Sequence, residues 1–230
     1  MVKKHIIITG ASRGIGFEIA KILADQGHQV LALTRNISTL TDLQKDYKNI
    51  SVLKVDISDE NQLSMVSDFV NVKWQTINVL IHNAGALINK PFAETSNKEF
   101  LEVYKVNVFA LAGLTKILLP FLKSGSHVVA ISSMGGIQGS MKFPGLSAYS
   151  SSKGAVITLM ELLAEEFKEQ RIAFNTLALG AVQTEMLAAA FPDYKAPTTA
   201  KEMANYIADF ALTGHRFYNA KVLQVSSSTP

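Results

Sequence analysis

The sequence has no cysteine, so disulfide bonds, thiol nucleophiles and cysteine metal sites are excluded. Its five histidines stand apart from one another, and none lies in a His-Glu-x-x-His pattern, so we predict no metal site. Charged residues are scarce, at 18% of the chain against roughly 25% in a typical soluble domain, whereas hydrophobic residues reach 48%. This composition excludes a disordered chain and predicts a large core.

Long apolar runs are missing as well. The longest, such as Ile117–Leu122 and Val128–Ile131, fall well short of the ~18 residues that a membrane helix needs. Near the N-terminus the apolar run is only Ile6–Ile8, whereas the apolar region of a signal peptide has roughly 7–15 residues. We therefore expect a cytoplasmic protein with no membrane segment.

The excess of positive charge is small. The net charge is +3 and the isoelectric point is near 9.0, but the basic residues are scattered and the densest pair is Lys3-Lys4. Scattered positive charge suits an anionic small-molecule cofactor better than a nucleic acid. We predict a small-molecule substrate and no nucleic-acid partner.

Short β-branched runs alternate along the chain with stretches of helical periodicity. Helices are predicted where apolar residues recur from Ile15 and from Leu63, and over Lys98–Leu122, Tyr149–Glu169 and Thr199–Leu212. The predicted strands are Lys4–Thr9, Gln29–Leu33, a strand ending at Leu53–Val55, Ile77–Ile81, His127–Ile131, Ile172–Ala178 and Lys221–Val225. This alternation is typical of an α/β fold with a Rossmann-like, doubly wound parallel sheet of about seven strands flanked by helices. No linker divides the chain, so we predict a single domain over residues 1–230, with its site at the carboxyl ends of the strands.

A glycine-rich turn follows the first predicted strand and reads Thr9-Gly10-Ala11-Ser12-Arg13-Gly14-Ile15-Gly16. Glycines let the backbone approach a pyrophosphate, which then lies at the positive end of the following helix. The spacing G-x-x-x-G-x-G differs from the usual dinucleotide fingerprint G-x-G-x-x-G. The turn indicates a cofactor site, although many ordinary turns between strand and helix also need glycine.

Tyr149 and Lys153 form a second candidate group. Residues four apart share one face of a helix, so the ammonium can lie near the phenol. A nearby cation would lower the tyrosine pKa from about 10 and make the phenol a better acid. The alternative is a chance pair on a solvated helix face.

Taken together, these motifs resemble the short-chain dehydrogenase/reductase family, in order and over nearly the whole chain. Asp56-Ile57 resembles the adenine-contacting pair of that family, and Asn83-Ala84-Gly85 matches its Asn-Ala-Gly motif, although His82 replaces the asparagine that often precedes it. The resemblance implies a nicotinamide-dependent oxidoreductase with the catalytic residues Asn107, Ser133, Tyr149 and Lys153. It further implies cofactor contacts from Gly10, Ser12, Arg13, Ile15, Gly16, Thr34, Arg35, Asp56, Ile57, Asn83, Ala84, Gly85, Tyr149, Lys153, Gly180, Val182 and Thr184.

The resemblance also implies roles for the catalytic residues. Ser133 and Tyr149 would donate hydrogen bonds to a substrate carbonyl, and Lys153 would lower the pKa of Tyr149. Asn107 would hold a water that relays protons.

Each motif also has a simpler interpretation. Asp56 would then cap the following helix, Asn83-Ala84-Gly85 would be a strand-end turn, and Asn107 would be a hydrogen-bonded amide in the core. Ser132 and Ser133 would be polar residues at the end of a strand.

The sequence departs from the family pattern around the expected substrate pocket. Leu179-Gly180 stands where Pro-Gly is common, and Ser226-Ser227-Ser228 replaces the usual Asp-Gly-Gly. Ser140-Met141-Lys142 is interpreted as an insertion. These departures leave the substrate open and predict a fairly open pocket for a small or flat carbonyl compound.

The end of the second strand predicts a preference for NADPH. An NAD-specific site usually has an acidic residue there, whereas this chain has Thr34 and Arg35, with Arg13 in the glycine turn. Two guanidinium groups can hold a 2′-phosphate. The alternative is that Arg35 is a surface arginine with no ligand.

Family members usually pair two long helices against a second subunit, so we expect a homodimer or homotetramer. The candidate interface residues are Val103, Val106, Phe109, Ala110, Leu114, Val156, Leu159, Leu163 and Phe167. The alternative to an enzyme is an NADP(H)-binding protein that senses redox state without turnover.

Overall fold

A computed structural model describes residues 2–226 of the chain. The principal sheet has seven parallel strands in the order β3-β2-β1-β4-β5-β6-β9, which is the doubly wound arrangement that the alternation predicts. These strands are β1 (His5–Thr9), β2 (Gln29–Thr34), β3 (Ile50–Lys54), β4 (Ile77–His82), β5 (Leu122–Ser133), β6 (Ala173–Leu179) and β9 (Lys221–Val225). The short strands β7 (Val182–Gln183) and β8 (Thr198–Thr199) form a separate parallel pair.

Helices cover both faces of this sheet. They are α1 (Gly14–Asp25), α2 (Ser38–Asp46), α3 (Glu60–Lys73), α4 (Asn97–Tyr104), α5 (Ala110–Leu118), α6 (Ser147–Glu166), α7 (Glu185–Ala190) and α8 (Ala200–Thr213). The apolar residues form two clusters, one on each face of the sheet. In the first cluster α1 and α8 pack on each other, with Ile19 and Leu23 near Ala204 and Ile207. Such burial on both faces explains why the strands are almost continuously apolar.

The predicted helix Lys98–Leu122 is not regular. Helical structure runs from Asn97 to Phe121, but Lys105–Phe109 forms a π-helical turn between α4 and α5, and Leu122 already belongs to β5. The segment Asn97–Phe121 is also long and apolar enough, by length and composition, to cross a membrane. Its sequence contains no long uninterrupted apolar run, because charged residues such as Glu102 and Lys105 interrupt it. Here it packs between α3 and α6, so we interpret it as a core helix.

Several predicted boundaries differ from the structure. The helix predicted over Tyr149–Glu169 begins at Ser147 and ends at Glu166, and α2 was not predicted at all. The polar sequence of α2 buries only Leu40 and Leu43, which is too few to give a clear helical period.

The expected subunit interface also needs correction. Four of its nine predicted residues are buried in the core of this chain and cannot meet a partner: Val103, Ala110, Leu114 and Val156. Of the predicted residues Phe109 is exposed, as expected, and the other large exposed apolar side chains on these helices are Leu101 and Leu162, which were not predicted.

Candidate active site

The glycine turn joins β1 to α1 at the carboxyl edge of the sheet. Gly10 and Gly14 have positive φ angles of 68° and 55°, which favour glycine. A Cβ atom on Gly16 would lie 2.4 Å from both the Asn83 amide nitrogen and the Gly10 carbonyl oxygen, so no larger residue fits there. Arg13 precedes α1 without capping it through its side chain, and the first turn of the helix holds no acidic residue. The first backbone N–H groups of α1 have no acceptor within the helix, which suits the pyrophosphate of a dinucleotide. Glycine at position 16 lets the turn pack closely against Asn83.

Asn83 holds this turn against the end of β4. Its side chain donates hydrogen bonds to the carbonyl oxygens of Thr9 and Gly10, both at 3.1 Å. The Thr9 hydroxyl accepts hydrogen bonds from the backbone N–H groups of Asn83 and Ala84, both at 3.0 Å. The side chain of Asn83 therefore braces the glycine turn.

The second group of predicted residues meets where β5 ends. Ser133 is the last residue of β5, while Tyr149 and Lys153 lie on the first turns of α6. The hydroxyls of Ser133 and Tyr149 are hydrogen-bonded to each other, and the Lys153 ammonium lies 5.7 Å from the centre of the Tyr149 ring. Ser132 points away, since its hydroxyl donates to the Lys153 carbonyl oxygen at 2.9 Å. Lys153 is only 4% exposed, so this pair does not lie on a solvated face.

The pKa values of Tyr149 and Lys153 differ from those that the sequence led us to expect. Burial raises the pKa of Tyr149, and the hydrogen bond with Ser133 only partly opposes this rise. Burial also lowers the pKa of Lys153 to about 8, and its ammonium donates to the Ile131 carbonyl oxygen at 2.8 Å. The expected lowering of the Tyr149 pKa by Lys153 is therefore not found. Tyr149 is a protonated phenol at neutral pH, the form that a proton donor needs.

Asn107 lies in the π-helical turn and is 3% exposed. Its side-chain amide donates to the Ala86 carbonyl oxygen at 3.0 Å and to the Ser152 hydroxyl at 2.8 Å, and it accepts from the Ala86 N–H at 2.7 Å. The interpretation as a hydrogen-bonded core amide therefore describes this side chain. It fastens the loop after β4 to α6 rather than presenting a free amide to a water.

The loops after β2 and β3 form the other end of the site. Thr34 is buried and its hydroxyl donates to the Asn36 carbonyl oxygen at 2.8 Å, whereas Arg35 is exposed. Asp56 accepts hydrogen bonds from the Ser58 N–H and hydroxyl, and these bonds together with the charge of Arg35 outweigh its burial and lower its pKa. The residue that caps α3 is Asp59, so Asp56 does not.

The loop after β6 leads into a short helix over the site. Gly180 donates its N–H to the Val225 carbonyl oxygen at 3.0 Å, and a Cβ on Gly180 would lie 2.3 Å from the Ser226 hydroxyl oxygen. The Thr184 hydroxyl accepts from the Leu187 N–H at 3.2 Å and so caps α7. Ser226 thus packs against the turn that lacks the usual proline, while Ser227 and Ser228 lie outside the described residues.

One cavity of about 700 Å³ connects these groups. Every predicted site residue lines it except Gly16 and Asn107, which support it from behind. The sequence interpretation missed Thr39, whose hydroxyl donates to the Ser12 carbonyl oxygen at 2.7 Å. It also missed the apolar lining residues Leu87, Val106, Phe143, Leu146, Met186, Leu187, Phe191 and Tyr194. Only their apolar character could have pointed to them, because no polar motif marks these positions.

His82 ends β4 behind the site. Its Nε2 atom lies 2.8 Å from the Thr115 hydroxyl oxygen, and complete burial lowers its pKa to about 3. A neutral imidazole therefore replaces the amide that the family often has there.

Comparisons with known proteins agree with this arrangement. The family model described as short chain dehydrogenase matches residues 4–195. The chain is 30% identical over 194 residues to a 3-oxoacyl-acyl-carrier-protein reductase of Chlamydia trachomatis, covering 81% of this chain and 77% of that protein. It is 30% identical over 190 residues to the 7alpha-hydroxysteroid dehydrogenase of Escherichia coli K12, covering 80% of this chain and 73% of that protein.

Solved structures support the same assignment. ElxO with NADP bound superposes with a TM-score of 0.85, at 26% identity and over 97% of both chains. A 4-hydroxyisoleucine dehydrogenase complexed with NADH has a TM-score of 0.88 at 24% identity, over 98% of both chains, and shows the shared fold. With its parallel sheet, glycine turn and Ser133–Tyr149–Lys153 group, this chain belongs to the short-chain dehydrogenase family and is a nicotinamide-dependent oxidoreductase.

Proposed function

We propose that this protein reduces a small-molecule carbonyl compound to an alcohol, or catalyses the reverse reaction, and that it prefers NADPH. The observation that supports this most strongly is the cavity that joins the glycine turn to the hydroxyls of Ser133 and Tyr149. A dinucleotide held at α1 and a carbonyl held at these hydroxyls would share one enclosed space.

A reduced nicotinamide, when bound, supplies a hydride to the carbonyl carbon. Negative charge then grows on the carbonyl oxygen, and the hydroxyls of Ser133 and Tyr149 stabilise it by donating hydrogen bonds. Tyr149 transfers its proton to that oxygen. Its raised pKa keeps this proton in place until the oxygen becomes basic.

Lys153 and Asn107 act around this step. With a pKa near 8, Lys153 carries a positive charge at neutral pH, and we propose that its ammonium would hold the ribose hydroxyls of a bound nicotinamide cofactor by hydrogen bonds. Asn107 is a positioning residue because it holds the loop of Ala86 and the helix of Ser152 together.

The NADPH preference is supported by the charges at the adenosine end. Arg13 and Arg35 both line the cavity there, and Thr34 supplies no negative charge at the end of β2. A 2′-phosphate would meet two guanidinium groups, which bind phosphate well. The solved structure of ElxO contains NADP and that of the 4-hydroxyisoleucine dehydrogenase contains NADH, so the proposed preference rests on the two arginines.

The same proposal includes a homodimer or homotetramer in the cytoplasm. The exposed residues Leu101, Phe109 and Leu162 on the long helices support an assembly, because exposed apolar side chains on neighbouring helices favour subunit contact.

Tyr149→Phe tests the proposed chemistry. The substitution removes one hydroxyl, and loss of a well-placed acid typically lowers turnover by ~10²–10⁴-fold. We expect kcat to fall by about that factor on any accepted carbonyl, while NADPH binding, followed by its fluorescence, stays close to wild type.

Tyr218→Phe is the matched control, since Tyr218 is partly exposed and lies outside the cavity. It should leave turnover unchanged. Near-normal kcat in Tyr149→Phe would refute the mechanism. A wild-type protein that binds NADPH but reduces no carbonyl would favour the redox-sensing alternative.

A further inference from the structure

The charges along the cavity are confined to part of it. The sheet order puts the loops after β3 and β2 at one end and the loops after β5 and β6 at the other. Arg13, Arg35 and Asp56 follow β1, β2 and β3, so they lie toward the adenosine end. The substrate must lie toward the opposite end, beyond the hydroxyls of Ser133 and Tyr149.

The walls of that opposite end are apolar. They come from the loop after β4, the π-helical turn, the loop before α6, and the segment of α7 that covers the site. The principal residues are Leu87, Val106, Phe143, Leu146, Met186 and Phe191.

The remaining charged groups of the lining are not available to a substrate anion. Lys153 is buried and donates to the Ile131 carbonyl oxygen. Glu185 lies beside the glycine turn, with a carboxylate oxygen 3.4 Å from the position of a Cβ on Gly14, and it would repel an anion.

Two lysines in the surrounding loops are engaged with other groups. The Lys90 ammonium is paired with the Glu99 carboxylate at 3.0 Å. The Lys142 ammonium donates to the Ile137 carbonyl oxygen and to the Ser140 hydroxyl. Within the part of the chain that the structure describes, the buried Lys153 is the only cation of the lining near the reacting hydroxyls, and none lies on the apolar walls beyond them.

Hydrogen bonds join the segments that cover the substrate end of the cavity. Asn89, in the loop after β4, donates its side-chain amide to the carbonyl oxygen of Ala190, the last residue of α7, at 2.8 Å. The same loop is tied to the segment before α6, since the Lys90 N–H donates to the Gly145 carbonyl oxygen at 3.0 Å. These hydrogen bonds hold the end of α7 and the segment before α6 against the loop after β4.

From this lining we infer that the substrate is a neutral, apolar carbonyl compound with no carboxylate, phosphate or sulfate close to the reacting group. The inference rests on the proposed function and specifies its substrate class. An anion against these apolar walls would lose its hydration with no adjacent cation to replace it, whereas apolar groups gain by leaving water.

Matched ester and acid pairs test this inference with NADPH as the reductant. Each pair has the same reacting carbonyl: methyl 4-acetylbenzoate with 4-acetylbenzoate, methyl 4-formylbenzoate with 4-formylbenzoate, and ethyl acetoacetate with acetoacetate. We expect kcat/KM to be ~10-fold or more higher for the neutral member of every pair that is reduced. Across linear alkyl phenyl ketones, KM should also fall by about two- to fourfold for each added methylene that is buried.

A second, independent test adds a positive charge to the cavity wall and measures the effect on the preference between esters and acids. Met186→Lys puts an ammonium on the wall and should raise kcat/KM for the acids by ~10-fold, because a hydrogen bond to a charged group strengthens binding. Ala189→Lys is the matched control: it adds the same charge to α7 at an exposed position outside the cavity, and should not change the preference. Both positions lie on a helix with no buried residue, so neither variant disturbs the core.

The outcomes separate the two proposals. Equal kcat/KM within the pairs, or a preference for the acids, would overturn the substrate class while leaving carbonyl reduction intact. Absence of reduction of every carbonyl, with NADPH still bound, would refute the proposed function and with it this inference.

Discussion

Side chains around the glycine turn divide into those that face the cavity and those that hold it in shape. Arg13 and Arg35 line the cavity where a cofactor would lie. The side-chain amide of Asn83 instead donates its hydrogen bonds to the carbonyl oxygens of Thr9 and Gly10. Asn107 likewise serves Ala86 and Ser152. The residues that the family resemblance assigns to the site therefore act in different ways, and substitutions among them should have different effects.

Arg35→Asp should reverse or abolish the cofactor preference. An aspartate there would repel a 2′-phosphate and accept hydrogen bonds from the ribose hydroxyls of NADH. We expect the NADPH/NADH ratio of kcat/KM to fall by at least ~10-fold, measured with one carbonyl substrate at fixed ionic strength. Arg216→Asp, an exposed position outside the cavity, is the control for the change in net charge. An unchanged ratio in Arg35→Asp would identify Arg35 as a surface arginine without a role in selection.

Motifs in the sequence located the site residues more reliably than their roles. Tyr149 and Lys153 lie on one helix face, as their spacing predicts, and Ser133 lies beside them, as the family resemblance implies. The direction of the Tyr149 pKa could not be predicted, because it depends on burial by residues far away in the chain. The apolar substrate end was missed for the same reason, since its residues share no local pattern.

At the scale of elements, strands were easier to predict than interruptions within helices. Each buried strand is marked in the sequence by a short apolar run, because both of its faces are covered by helices. The π-helical turn at Lys105–Phe109 has no proline or glycine to mark it, and its central residue is held by contacts with Ala86 and Ser152 from outside the helix. The polar helix α2 was missed because it buries so little apolar surface.

The end of β4 should make folding stability depend on acidity. His82 is neutral in the folded protein because burial lowers its pKa to about 3 from its ordinary value of 6.5. Below about pH 6.5, His82 therefore binds a proton in the unfolded chain but stays neutral in the folded protein. The free energy of unfolding is not reduced by His82 above that pH, and it declines as the pH falls from 6.5 toward 3.

His82→Asn isolates this contribution. Between about pH 7.5 and pH 5 the histidine should cost about 2 kcal/mol of the free energy of unfolding. Over the same pH interval, the free energy of unfolding of the variant should therefore fall by about 2 kcal/mol less than that of the wild type. Urea unfolding at both pH values measures this difference. His127, whose pKa burial lowers to about 4, remains in both proteins and contributes equally. Identical losses in the two proteins would show that His82 does not titrate in this range.

For the whole molecule, the exposed apolar residues of the two long helices should decide assembly. Phe109 is 54% exposed and Leu162 is 62% exposed, on helices whose other faces are already in the core. A glutamate in such a contact would be desolvated without a partner. Phe109→Glu should therefore lower the mass measured by light scattering at micromolar concentration from that of an oligomer toward that of a single chain.

Val72→Glu provides the comparison, because Val72 is similarly exposed, at 73%, but lies on α3. Its mass should equal that of the wild type. A wild-type protein that is already monomeric at micromolar concentration would contradict the expected assembly.

The packing of α1 against α8 has a consequence for how the chain folds. The helix that begins at the glycine turn is covered on one side by a helix of residues 200–213, beyond the segment that the family model matches. Contacts between such distant segments form only after a long loop has closed, and parallel sheets with many such contacts fold slowly. During synthesis, the side of α1 that faces α8 therefore stays uncovered until residues 200–213 have left the ribosome. Apolar surface that is uncovered at this stage favours aggregation, and its coverage by α8 removes that tendency in the folded protein.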